Sequence, residues 1–201
     1  MNEYVELTDA KISYQTFGSG EPLLMVHGFS LDMRMWDQQI DAFAQSFRVT
    51  RYDLRGFGKS SAPNGEPYIH ADDLAALLDH LQIERANLMG MSFGGGIALD
   101  FACLHPDRLI DLVLVDSALG GYPWTISFNV KRDAHDLESF KRNWFAHGLF
   151  APALKIPDVA SRLRQIIGDY SGWHWLNKDS NQFPPPSVYE RLEAIQARTL
   201  T

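Results

Sequence analysis

The chain has 201 residues, 45% of them hydrophobic, enough to bury a substantial core in one domain or in one domain with an insertion. Its formal net charge of −7 argues against a nucleic-acid partner, which requires a basic face. The single cysteine, Cys103, cannot form an internal disulfide and fits a reducing compartment.

The opening Met1-Asn2-Glu3-Tyr4 lacks a basic-then-apolar leader, and no apolar run is long enough to span a bilayer. A cytoplasmic protein without membrane contact is expected. Tyr4 to Leu7 and Ile12 to Phe17 read as short strands around a turn, and Gly18-Ser19-Gly20 then breaks the chain. Leu23 to Val26 is a continuous apolar run, as expected of a parallel strand buried on both faces. The spacing of Met33, Trp36, Ile40 and Phe43 predicts a helix over 33–45, with Asp32 as its N-cap. Phe47 to Tyr52 is another strand, running into Asp53-Leu54-Arg55-Gly56-Phe57-Gly58-Lys59-Ser60. Leu74, Leu77, Leu78 and Leu81 predict a helix over 74–81, and Leu112 to Val115 a further buried strand.

Between these lies Ala86-Asn87-Leu88-Met89-Gly90-Met91-Ser92-Phe93-Gly94-Gly95-Gly96, in which Gly90, Ser92 and Gly94 spell Gly-x-Ser-x-Gly. An apolar strand leads in and a small-residue helix leads out, with Cys103 as filler in its apolar run. A serine on such a turn is held in strained geometry with its hydroxyl above the sheet edge. The glycines let strand and helix pass closely, and the helix start presents free N–H groups to an anion. Alternating strands and helices imply right-handed βαβ units and a mostly parallel sheet, with ligands beyond the carboxyl ends of its strands. His27-Gly28-Phe29, Asp53, Ser92 and Asp116-Ser117 all fall at those ends.

In Val26-His27-Gly28-Phe29, Tyr52 to Ser60, Gly90 to Gly95, His105-Pro106-Asp107-Arg108 and Leu112 to Asp116, the chain resembles the α/β-hydrolase superfamily, in its esterase and lactonase branch. The resemblance is dense over residues 4–120. It implies an α/β-hydrolase fold, mostly parallel and covered by helices on both faces, with the core at 1–119 and 187–201 and a helical cap at 120–186. The aromatics of that stretch are expected mainly to pack the cap; Phe29, Trp124 and Trp144 are the candidates for touching substrate. Pro184-Pro185-Pro186 reads as a connector, and Ser187 with Glu190 as the capping box of a helix over 188–197.

The resemblance further implies Ser92 as nucleophile, the backbone N–H groups of Phe29 and Phe93 as an oxyanion hole, and His27 as a structural residue of the His-Gly turn. The acid and general-base histidine of the superfamily follow a later strand, in the order Ser, acid, His. Neither is found by residue 201, so the chain reads as truncated, and Leu112–Val115 is expected to be an exposed apolar edge. Among the internal histidines, His70, His80 and His105 are expected at the surface and His135, His147 and His174 in the cap. Only His174 is a minor candidate base, and Asp116 is chiefly structural and secondarily an acid. No metal spacing is found and no cofactor is implied. The expected chemistry is acyl transfer from a small ester or lactone; oligomeric state is not legible. A non-catalytic ligand-binding relative, or a perhydrolase, C–C hydrolase or lyase on the same serine, is the alternative.

Overall fold

A computed structural model describes residues 2–123, 136–183 and 185–201 of the chain. Seven strands form one sheet: β1 (Glu3–Glu6), β2 (Lys11–Phe17), β3 (Glu21–Val26), β4 (Phe47–Tyr52), β5 (Ala86–Met91), β6 (Leu109–Val115) and β7 (Arg198–Leu200), in the spatial order β1-β2-β4-β3-β5-β6-β7. β1 and β2 are antiparallel additions, and β4, β3, β5, β6 and β7 run parallel.

The apolar run in β3 is divided between two cores by its two-residue alternation. Leu24 and Val26 face a large core, whereas Leu23 and Met25 face a smaller one built with Trp36, Ile40 and Val49. Helices α2 (His70–His80) and α3 (Phe93–Leu104) cover the first face, and α1 (Asp37–Phe43) covers the second. Full burial of Leu24, Leu74, Leu77, Leu78 and Leu88 stabilises the fold by about 1.5–3 kcal/mol per side chain.

Several boundaries differ from the sequence reading. Met33–Trp36 forms a 3-10 turn before the α-helix, although Asp32 caps it as expected through Arg34 N–H. The helix predicted over 74–81 starts at His70, so its first turn carries a buried histidine that leucine spacing alone did not include. The helix predicted over 188–197 is one turn, α7 (Val188–Arg191), followed by a 3-10 turn; its Ser187–Glu190 capping box is present. β6 is not the sheet edge, because Arg198–Leu200 pairs with Asp111–Val113. The last strand is three residues long and exposed.

From Leu137 the chain is helical: α4 (Leu137–Phe145), α5 (Pro157–Asp169) and α6 (Trp173–Leu176). Phe140, Trp144, Ile166 and Ile167 bury against Leu31, Phe29 and Met91, which places α4 and α5 over the carboxyl ends of β3 and β5. Among the described residues, no helix is long and apolar enough to cross a membrane.

Candidate active site

The winding of the sheet locates the site. From β3 the chain moves outward to β4, while from β5 it moves the other way to β6. The carboxyl ends of β3 and β5 therefore flank a topological switch point, where such sheets bind ligands. Phe29 follows the first strand and Ser92 the second.

Ser92 is the single residue between β5 and α3, the elbow of this strand-to-helix turn, at φ 51° and ψ −115°. Such a backbone costs of order 1–3 kcal/mol and persists only when its surroundings fix it. The fixing bonds are Ser92 N–H to Val115 O (2.9 Å), and Gly96 N–H (3.1 Å) and Ala118 N–H (2.9 Å) to Ser92 O. The glycines make the turn possible by excluding Cβ atoms. One at Gly90 would collide with Gly94 backbone, and one at Gly94 with the carbonyl oxygens of Val26 and His27.

The loop after β3 is fixed from below. His27 is fully buried; its Nε2 accepts from Leu54 N–H (3.0 Å), so its Nδ1 carries the proton donated to Gly28 O (2.8 Å). Burial holds this imidazole neutral, with its pKa lowered to about 4. Gly28 O also accepts from Leu31 N–H (3.3 Å). In a trans peptide C=O and N–H point opposite ways, so fixing Gly28 O also aims the Phe29 N–H. Among the described residues neither the Phe29 nor the Phe93 N–H has a hydrogen-bond partner.

The Phe29 ring is half-buried and meets Phe57, Phe93, Trp144, Tyr170, His174 and Trp175 at centroid distances of 5.6–6.5 Å. The sequence candidates distribute around this hub unevenly. Trp144 is buried, its indole N–H donating to Ser30 Oγ (2.6 Å). Trp124 and His135 lie outside the described residues. Asp116 is exposed at the end of β6, at φ 45°.

His174 stacks on Phe57 (4.2 Å), with Nδ1 on the Tyr170 hydroxyl (2.8 Å) and Nε2 3.7 Å from Asp179. Burial depresses its pKa to about 4. Among the described residues no histidine hydrogen-bonds the Ser92 hydroxyl. His80 is exposed and His105 half-buried beside Asp72. His70, by contrast, is not at the surface: it is 2% exposed and edge-on to Phe93 (5.6 Å), with a pKa pushed well down by burial.

Two supports were not assigned from sequence. Asp53 accepts from Met33 and Lys59 N–H groups (both 2.8 Å), tying the loops after β3 and β4 together. Ser30, at φ 63° and without exposure, carries a positive φ that nothing in its residue type announces. Cys103 is half-buried and free. Among the described residues no cluster of three or more His, Cys, Asp or Glu is placed to hold a metal ion. A polar groove of about 540 Å³ between α1 and α5 does not include Ser92.

The chain is similar in sequence and fold to known proteins. The sequence profile of the alpha/beta hydrolase fold matches residues 21–193. A 2-hydroxymuconate semialdehyde hydrolase from a Pseudomonas species is 34% identical over 158 residues, covering 76% of this chain and 52% of the relative. 3-Oxoadipate enol-lactonase 2 of Acinetobacter baylyi is 37% identical over 114 residues, 55% of this chain and 43% of its own. A thermophilic esterase from Thermogutta terrifontis superposes with a TM-score of 0.73 at 28% identity, over 99% of this chain and 78% of that one. The chain thus spans about half the length of these two sequence relatives. Because that profile matches residues 21–193, most of the chain, the chain belongs to the alpha/beta hydrolase fold family.

Proposed function

We propose that the whole protein is a serine hydrolase that cleaves a small carboxylic ester or lactone through an acyl-enzyme. The observation that carries this reading is the strained Ser92 at the switch point, flanked by the unpaired N–H groups of Phe29 and Phe93. Ser92 Oγ attacks the carbonyl carbon while a general base takes its proton, and the tetrahedral oxyanion accepts hydrogen bonds from Phe29 and Phe93. The α3 N-terminus adds its positive dipole end. Collapse expels the alcohol, which takes the proton back; water, activated by the same base, then attacks the acyl carbon and releases the acid. Losing one oxyanion donor typically costs about 10²–10³ in rate.

We assign the general base and its acid to sequence other than the residues described, because among the described residues no histidine hydrogen-bonds the Ser92 hydroxyl, and His174 and His70 are packed against the Phe57 and Phe93 rings. The helical segment 136–183 acts as the cap, and Phe29 lines the acyl site. Hydrolysis of a compound like 2-hydroxymuconate semialdehyde at the same serine is the second reading, favoured by the similarity to a hydrolase of that name. The test is turnover of p-nitrophenyl acetate and a short lactone by the whole protein. Ser92→Ala should remove it; turnover that survives in Ser92→Ala above buffer background would refute the assignment.

A further inference from the structure

Ser30 presents an unsolved cost if the loop is considered alone. It follows Phe29, its φ of 63° lies in the left-handed region, and its hydroxyl is buried. A non-glycine residue there is strained, and a buried hydroxyl left unpaired costs about 1–3 kcal/mol more. Both are offset from far along the chain. Trp144 on α4, 114 residues away, donates its indole N–H to Ser30 Oγ at 2.6 Å, and among the described residues it is that hydroxyl's partner.

The Trp144 ring is itself held, stacked on His147 (5.6 Å) and edge-on to Phe29 (6.3 Å) and Phe150 (5.7 Å). The turn from Gly28 to Leu31 is thus clamped at both ends. His27 holds Gly28 O on one side of Phe29, and Trp144 holds Ser30 on the other.

We propose that Trp144 and Ser30 are positioning residues for the hydrolysis: the indole N–H, delivered by the helical cover, locks the turn that aims the Phe29 N–H at the developing oxyanion. This rests on the serine-hydrolase reading above. Its consequence is that the cover sets the rate as well as enclosing substrate, since the placement of α4 is transmitted through one hydrogen bond to the loop.

Trp144→Phe keeps an aromatic ring and deletes the N–H; Ser30→Ala deletes the acceptor with a much smaller change of volume. Each is measured in the whole protein with an aryl ester, with kcat expressed per site titrated by a fluorophosphonate, so that misfolded molecules do not count. Misaiming a donor should cost less than deleting one, so kcat is expected to fall about 10–100-fold in either variant, with KM within about twofold. The double variant should be no worse than the poorer single variant, because both remove one bond. A trifluoromethyl ketone, which presents an oxyanion once added to the serine, should weaken by the same factor as kcat/KM.

A kcat per titrated site within about twofold of the parent in both single variants, or single effects that multiply in the double, would overturn the proposal. Ser92→Ala in the same assay separates the two levels. Serine-dependent turnover with unaffected Trp144→Phe and Ser30→Ala removes the strut alone, whereas turnover that survives Ser92→Ala removes both.

Discussion

Replacing Gly94 by alanine tests whether the close pass of α3 over β3 shapes the elbow. A Cβ at this position would lie 2.5 Å from His27 O and against Val26 O, where ordinary contact begins near 3.4 Å. The obstacle is strand backbone, so no side-chain rotation relieves it, and the helix must withdraw by about 1 Å to restore ordinary contact with Val26 O, the nearer of the two. Overpacking of this kind costs about 1–3 kcal/mol, and a rigid backbone obstacle puts Gly94 at the upper end. Alanine's higher helix propensity returns about 1 kcal/mol, leaving a net destabilisation of about 2 kcal/mol.

Gly96, two residues on, is the internal control. Its Cβ would meet Ala118 O at 3.5 Å, an ordinary contact, so Gly96→Ala should be neutral or stabilising by up to about 1 kcal/mol. Thermal unfolding followed by circular dichroism reads both variants. Gly94→Ala should lower Tm by about 4–8 °C for a chain of this size, whereas Gly96→Ala should hold or raise it. Gly94→Ala melting at or above the parent, or both variants shifting alike, would refute the close-pass argument.

Three further outcomes are expected. His27 takes up a proton at about pH 4 when folded against 6.5 when unfolded, so the unfolded chain binds more protons between those values. The penalty is absent above pH 6.5, grows as pH falls and saturates below about 4, reaching at most about 3 kcal/mol; His27→Gln should flatten denaturant midpoints measured between pH 7 and 5, and an unchanged slope would contradict it. Arg55 is buried, with Asp73 (2.6 and 2.7 Å) and Asp9 (2.8 and 2.9 Å) on its guanidinium, so Arg55→Met should strand the buried Asp73 and cost about 3–5 kcal/mol by urea unfolding. Arg162→Met removes a half-exposed partner of Asp37 and should change the same measurement by no more than about 1 kcal/mol; equal effects would mean burial is not what separates the pairs.

Much of the fold and the elbow is legible in the chain because the signals are local. Leu23–Val26 and Leu112–Val115 are apolar over strand length, and Gly90, Ser92 and Gly94 lie within five residues on a strand-to-helix turn. Steric exclusion of Cβ and burial on two sheet faces act over a few residues, so they leave a readable pattern. What lies between distant segments left none. The leucine spacing of α2 dictates a buried face, yet His70 joins that face only because Tyr68 and Phe93 close over it. The tail beginning at Arg198 relieves β6 of its edge position by pairing across 87 residues with Asp111. Trp144 has the composition of a pocket aromatic, but its partner Ser30 and the positive φ it secures are set by how α4 settles on the loop after β3. A hydrogen bond between residues 114 apart depends on directions in space that spacing along the chain does not encode, and the loop that aims Phe29 was therefore decided by tertiary packing.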